Sequence, residues 1–326
     1  MTTALRNHGW QKREGPFRVL EAIRRTVVYG EYGAADGQLS SPYDVAYSPD
    51  GSLLAVADAG NSRIQMFGID DGVLTHLSSY GSAGTSEGQF EMLQSLAFSP
   101  DGTRLVVSDA YTRFQIFGVS GAALTFQTQY DEPGIGDGQF TTCMSAAFSP
   151  DGTRIVTADS NNSNIQVFGV DGNNVTFQVR YGSRGAGPGY FNSTYCATFS
   201  PDGSQIIVVD TAPTAVPIQI VNIAGNIITR WREYGSYGAH YGGFINPNTV
   251  AVTPDGLWIG VADSGANRVQ VLDISDAANG NIVPVMSYNG APVPPVSFET
   301  VNSVAFSPDG AHMAICDSDN NRIIIV

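Results

Sequence analysis

Lysine is almost missing from this chain: Lys12 stands alone beside 15 arginines in 326 residues. We ascribe that bias to coding preference before chemistry. Cysteine is scarce too. Cys143, Cys196 and Cys316 are an odd number without any Cys-x-x-Cys spacing, which excludes a disulfide framework and favours buried thiols. The four histidines, His8, His76, His240 and His312, are single and unspaced, so they do not form a three-histidine zinc set. No apolar run reaches the ~18 residues of a spanning helix. The opening stretch, MTTALRNHGWQKREGPF, has no apolar core of a signal peptide, so an intracellular protein is expected, with a virion or other assembly left open. No nucleophile-elbow motif and no phosphate-cradling glycine loop occurs.

Positive charge is short overall, and unevenly placed. The formal net charge is −14. Residues 1–30 hold Arg6, Lys12, Arg13, Arg18, Arg24 and Arg25 against Glu14 and Glu21, a net +4, which leaves −18 on the remainder. A body this acidic repels phosphate backbones and anionic lipid, so neither nucleic acid nor membrane is expected as a main partner. Charge of this size also keeps a protein soluble without any further role.

What is plentiful is glycine, 37 residues spread at intervals, together with 17 prolines. Their spacing exposes a repeat. Ser/Thr-Pro-Asp-Gly occurs six times, at Pro49, Pro100, Pro150, Pro201, Pro254 and Pro308. A tyrosine lies 20 residues before each proline (Tyr29, Tyr80, Tyr130, Tyr181, Tyr234, Tyr288), and an aspartate 9 residues after it (Asp58, Asp109, Asp159, Asp210, Asp263, Asp317). Around this frame the sequence predicts four strands per unit. An apolar run such as Leu96-Ala-Phe98 precedes the Pro-Asp-Gly turn, and a β-branched run such as Ile206-Ile-Val-Val209 follows it. A third strand resembles Ile64-Gln-Met-Phe67, and a fourth alternates toward the next tyrosine, as in Val175 to Tyr181. Six units of about fifty residues, four short strands each, make an all-β, six-bladed propeller of antiparallel blades. The sixth unit lacks a fourth strand, and the stretch from Arg18 to Val28 supplies an orphan one. Closure by pairing the N-terminal strand with the C-terminal blade is therefore expected, covering an edge that would otherwise template aggregation. The period exceeds the ~40–45 residues of WD repeats, and the Gly-His and Trp-Asp signatures are missing.

Three segments carry a resemblance. Tyr80-Gly-Ser-Ala-Gly-Thr-Ser-Glu-Gly-Gln-Phe90, Leu96-Ala-Phe-Ser-Pro-Asp-Gly102 and Val56-Ala-Asp-Ala-Gly-Asn-Ser-Arg-Ile-Gln-Met-Phe67 are similar to the NHL-repeat consensus. The similarity covers residues 17–326, leaving residues 1–16 as a basic extension and candidate docking peptide containing Trp10. Gly-Gln-Phe departs to Gly189-Tyr-Phe191 in the fourth unit and Ser297-Phe298 in the sixth. The resemblance implies a face built from the fourth-to-first and second-to-third loops around a channel mouth, where ligands usually sit. It also implies two activities to weigh: zinc-dependent amidating lyases, which these histidines do not fit, and RNA binding, which an acidic body disfavours.

The frame aspartates, with Asn at +3 and Arg at +5 (Asn61, Arg63; Asn320, Arg322), are expected to cap loop amides and pair with the arginine. A ring of carboxylates around a channel cation is the other reading of the same positions. Units that break the frame point to partner binding. These are Tyr111 and Arg113 in unit two, Asn162 and Asn164 in unit three, and Pro213 and Thr214 in unit four. Tyr195 at the channel mouth and Trp10 join them as candidate contacts. Asp44, Asn248 and Asn302, just ahead of the first strands of units one, five and six, are candidate ligands for Ca²⁺ or Mg²⁺. The expected function is a non-catalytic scaffold or interaction module for a protein or peptide, within a larger assembly or self-assembling through the basic extension, with no cofactor. The alternative is a metal-dependent hydrolase, lactonase or lyase in the channel.

Overall fold

Every Tyr-to-Asp frame becomes strands in the expected order. The computed structural model describes residues 26–70, 72–109, 112–185, 187–290 and 297–326. β1 (Val27–Tyr29) comes first. The first unit then contains β2 (Pro42–Tyr47), β3 (Leu53–Asp58), β4 (Arg63–Asp70) and β5 (Val73–Tyr80). The second contains β6 (Leu93–Phe98), β7 (Arg104–Asp109), β8 (Arg113–Ser120) and β9 (Ala123–Asp131). β10 (Cys143–Phe148), β11 (Arg154–Asp159), β12 (Asn164–Asp171) and β13 (Asn174–Tyr181) form the third. β14 (Thr194–Phe199), β15 (Gln205–Asp210), β16 (Ile218–Ala224) and β17 (Ile227–Tyr234) form the fourth. The fifth is β18 (Pro247–Val252), β19 (Trp258–Asp263), β20 (Arg268–Asp276) and β21 (Asn281–Tyr288). β22 (Val301–Phe306), β23 (Met313–Asp317) and β24 (Arg322–Ile325) complete the set. They pair as six four-stranded antiparallel sheets. The chain is a six-bladed β-propeller.

One sheet has the order β1-β24-β23-β22. In it Val27 pairs with Ile325 and Tyr29 with Ile323. β1 holds the described end of the strand expected from Arg18 to Val28; residues 18–25 of it, the basic extension and Trp10 lie outside the described residues.

The invariant frame residues have local physical reasons. In the first Pro-Asp-Gly turn Ser48 donates to Asp50 at 2.6 Å, Asp50 accepts the Ser52 amide at 3.0 Å, and Gly51 sits at φ 75°, where a Cβ would be strained. The frame tyrosine serves the neighbouring blade. Tyr29 packs edge-on to Phe67, and Tyr80 to Phe117, with ring centroids 5.0 and 5.2 Å apart. Its hydroxyl also explains the glycine of Gly-Gln-Phe, because a Cβ on Gly88 would lie 2.5 Å from the Tyr80 oxygen. Second strands are buried on both faces, as Leu54 to Asp58 are, while fourth strands such as β5 alternate buried and exposed at the rim. The core therefore lies between blades rather than within one. Val106 of the second blade, for example, packs with Phe148, Ile155 and Phe168 of the third.

Candidate functional site

The fourth-to-first loops and second-to-third turns share one face because they are bonded to each other. Asp58 organises the first such pair. It accepts the Ser40 amide at 2.7 Å, Asn61 Nδ2 at 2.9 Å, Arg63 Nε at 2.8 Å and Gln65 Nε2 at 2.9 Å. Arg63 goes on to donate to the carbonyls of Ala34, Ala35 and Gln38, and Gln65 accepts the Gly37 amide. The carboxylate is fully buried with its lone pairs in use, which is the capping role expected of the frame aspartate.

Frame-breaking positions divide when placed in the structure. Arg113 is 5% exposed. Despite the deleted residue it still pairs with Asp109 at 2.7 Å, and it donates to the carbonyls of Thr85, Gly84 and Gln89. Asn162 bonds Asp159 and the Gly134 carbonyl, and Asn164 is buried behind it. Both therefore face into their loop. In blades three and four, where no arginine faces Asp159 or Asp210, burial pushes both carboxyls above the usual carboxylate range despite several amide donors. Pro213 and Thr214 are exposed, with Thr214 accepting Asn192 Nδ2 at 3.2 Å. Tyr111 lies outside the described residues.

The channel mouth is built on bulges. In all six blades the pairing of first and second strands slips by one residue, at Tyr43, Gln94, Met144, Tyr195, Asn248 and Asn302. A bulge re-aims side chains, and here it lets consecutive residues meet the channel. Tyr43 and Tyr195, from opposite blades, share a hydroxyl hydrogen bond of 2.6 Å across it. Just below runs a ring of inter-blade bonds. Asp44 accepts the Leu96 amide at 2.8 Å, Ser145 the Ala197 amide at 3.0 Å, and Thr249 the Val304 amide at 3.3 Å. Asp44 is also the acceptor for the Val45 amide and the Ser303 hydroxyl, so it ties blade six to blade two. Burial pushes its carboxyl up to about 6. Asn248 donates to Asn302 at 2.7 Å, and Asn302 to Ser318 at 2.7 Å. Asp44 and Asn302 thus spend their side-chain oxygens and amide on Asn248, Ser303, Ser318 and backbone amides, while the buried Asn248 Oδ1 has no partner among the described residues. Among the described residues no group of three His, Cys, Asp or Glu side chains is placed to hold a metal. Beneath the tyrosine bar the channel encloses about 360 Å³, lined mainly by Ala, Val, Ser and Thr. Tyr43→Phe is expected to lower stability by about 1 kcal/mol in urea unfolding, the worth of one hydrogen bond, without changing the overall dichroism.

Exposed apolar residues were the signal missed in the sequence. Tyr32, Met92, Ile135, Tyr190, Tyr237 and Tyr241 are each about half exposed or more, Ile135 reaching 78%. All six lie in fourth-to-first loops, so five blades present a large apolar side chain on one face. Their signature was legible as bulky residues where other units hold small or polar ones, as Met92 against Ser41 and Ser193, and Tyr190 against Gln38, Gln89 and Gln139.

Comparison with known proteins agrees with this architecture. The family model described as WD domain, G-beta repeat matches residues 136–168 and 294–325, short of half the chain. No curated protein matches. Among solved structures, hydrazine synthase of Kuenenia stuttgartiensis superposes with a TM-score of 0.60 at 15% identity, over 91% of this chain and 98% of that one. A structural genomics protein of unknown function from Bacteroides thetaiotaomicron gives 0.63 at 15% identity, over 92% and 76%. At such identity the likeness concerns the fold. Among the described residues no helix is long and apolar enough to cross a membrane.

Proposed function

We propose that the chain is a non-catalytic interaction module, a propeller of NHL-repeat type that binds a protein or peptide through its loop face. The observation that carries this reading is the set of exposed Tyr, Ile and Met side chains on loops held rigid by the buried Asp–Arg–Gln bonds. Large aromatic anchors on a preorganised surface are the usual source of binding energy. Frame residues such as Arg113 serve that rigidity, and Pro213, Thr214 and the aromatic loops make the contacts. A hydrolase or lyase reading draws on the enzyme among the structural neighbours. It requires Asp44 to leave the amide and hydroxyl donors that already hold it.

Peptides selected by display against the full chain test the proposal. Tyr237→Ser with Tyr241→Ser is expected to weaken the selected peptides at least tenfold in fluorescence anisotropy. Ile227→Ser, at an exposed position of β17 near the opposite side, is expected to leave binding unchanged. Equal loss in both variants, or none in either, would place binding elsewhere.

A further inference from the structure

The chemistry of the loop face says what kind of partner it accepts. Among the described residues its loops and the adjoining end of β9 carry nine exposed carboxylates: Glu31, Asp36, Glu87, Glu91, Asp131, Glu132, Asp137, Glu299 and Asp319. Among the described residues the exposed cation in those loops is Arg184. Arg63, Arg113, Arg268 and Arg322, which lie close by, are committed to buried aspartates and loop carbonyls. Two of the nine carboxylates, Asp36 and Asp137, have arginine neighbours, at 3.8 Å from Arg63 and 3.1 Å from Arg180. Tyr32 stands between Glu31 and Asp36 in one loop, while Tyr190, Tyr237 and Tyr241 lie in the loops before β14 and β18, which carry none of the nine. A face that carries carboxylates on some loops and phenol rings on others suits an arginine-rich segment, whose guanidinium groups pair with the first and stack on the second.

This chain contains a segment of that composition. Residues 1–25 hold five arginines, one lysine and Trp10 against two glutamates. The direction in which it leaves the blade decides which copy it can meet most directly. At the start of β1, Val27 lies beside Gly72 in the turn between β4 and β5, on the side away from the loop face, whereas the Tyr29 hydroxyl lies beside Gly37 within that face. The described chain therefore begins on the opposite side of the disc. We infer that residues 1–25 of one copy dock on the acidic, tyrosine-bearing loop face of a second copy, stacking propellers head to tail. Such a contact joins two different surfaces, so it repeats from copy to copy beyond the dimer, as an open chain or, where the rotation closes, a ring. It also places positive charge between two bodies that would otherwise repel. The inference rests on the loop face being the binding surface.

The test uses the full chain in analytical ultracentrifugation with salt and protein concentration varied. Near physiological ionic strength the average mass is expected to rise with concentration past that of a dimer. At about 1 M salt, where the Debye length is roughly 3 Å, it should return to the monomer. A full-length variant with the six basic residues of the segment changed to glutamine should stay monomeric throughout, yet bind a synthetic peptide of residues 1–25. Adding Tyr237→Ser and Tyr241→Ser to that variant should weaken the peptide at least tenfold. A wild-type chain monomeric at every concentration, or assembly that persists in the glutamine variant, overturns the inference. A peptide of the same composition in scrambled order separates the two claims. Equal binding of both orders overturns the assignment to this segment while leaving the face as a binding surface for basic peptides. Binding of neither, while display-selected peptides still bind at the tyrosines, overturns the segment alone. Loss of all peptide binding at this face removes the proposed function with it.

Discussion

Asp109→Ala lowers the unfolding free energy by about 3–5 kcal/mol, as expected when one member of a buried ion pair is removed and the other is left behind. Asp109 is 1% exposed and Arg113 5%, with 2.7 Å between them. Removing the carboxylate strands the guanidinium and frees the amides of Glu91 and Met92, which Asp109 accepts at 3.3 and 2.9 Å. The reverse change is milder. In Arg113→Ala the aspartate keeps both amides, the arrangement blades three and four already use around Asp159 and Asp210. Urea denaturation of the two variants should therefore show the larger loss for Asp109→Ala. Equal losses would mean that the pair acts only through mutual attraction, not through capping of the loop.

Asp44→Ser flattens the dependence of stability on pH between about pH 4 and pH 6. Burial raises the native carboxyl from 3.8 to about 6, so within that window the native state binds more protons than the unfolded chain. Stability must then fall as pH rises through it. The cost is absent below the unfolded value and complete above the folded one, about 3 kcal/mol for a displacement of this size. Serine already occupies the same position in blades two, three and six, as Ser95, Ser145 and Ser303, and can keep the bond to the Leu96 amide. The measurement is the difference in unfolding free energy between wild type and variant across that range. The difference is needed because the turn aspartates Asp50, Asp101, Asp151, Asp202 and Asp309 are lowered by hydroxyl and amide donors and slope the other way. A constant difference would show that folding does not displace the Asp44 carboxyl from its unfolded value.

Much of this molecule was legible before any coordinates. The Pro-Asp-Gly turn, the tyrosine and the aspartate recur because each serves its own unit or the next, and a role repeated six times appears as a spacing. The capping by Asp58 with Asn61 and Arg63 was readable for that reason. Arg113 was not, since its displacement by one residue resembled a lost contact, yet the long side chain reaches the same carboxylate. Asp44, Asn248 and Asn302 looked like convergent oxygen ligands in a linear listing. Ser318, the partner of Asn302, lies across the same blade, whereas Leu96 and Ser303, the partners of Asp44, lie in other blades that only the closed ring brings near.

Local periodicity and turn chemistry thus decided the number of blades, their strands and their order, because those depend on residues a few positions apart. Three things depended on atoms far apart in the chain: the bulges that aim side chains at the channel, the bar between Tyr43 and Tyr195, and the gathering of carboxylates and tyrosines on one face. No spacing records such distances. They follow from wrapping six sheets around a common axis, which makes neighbours of residues more than a hundred positions apart.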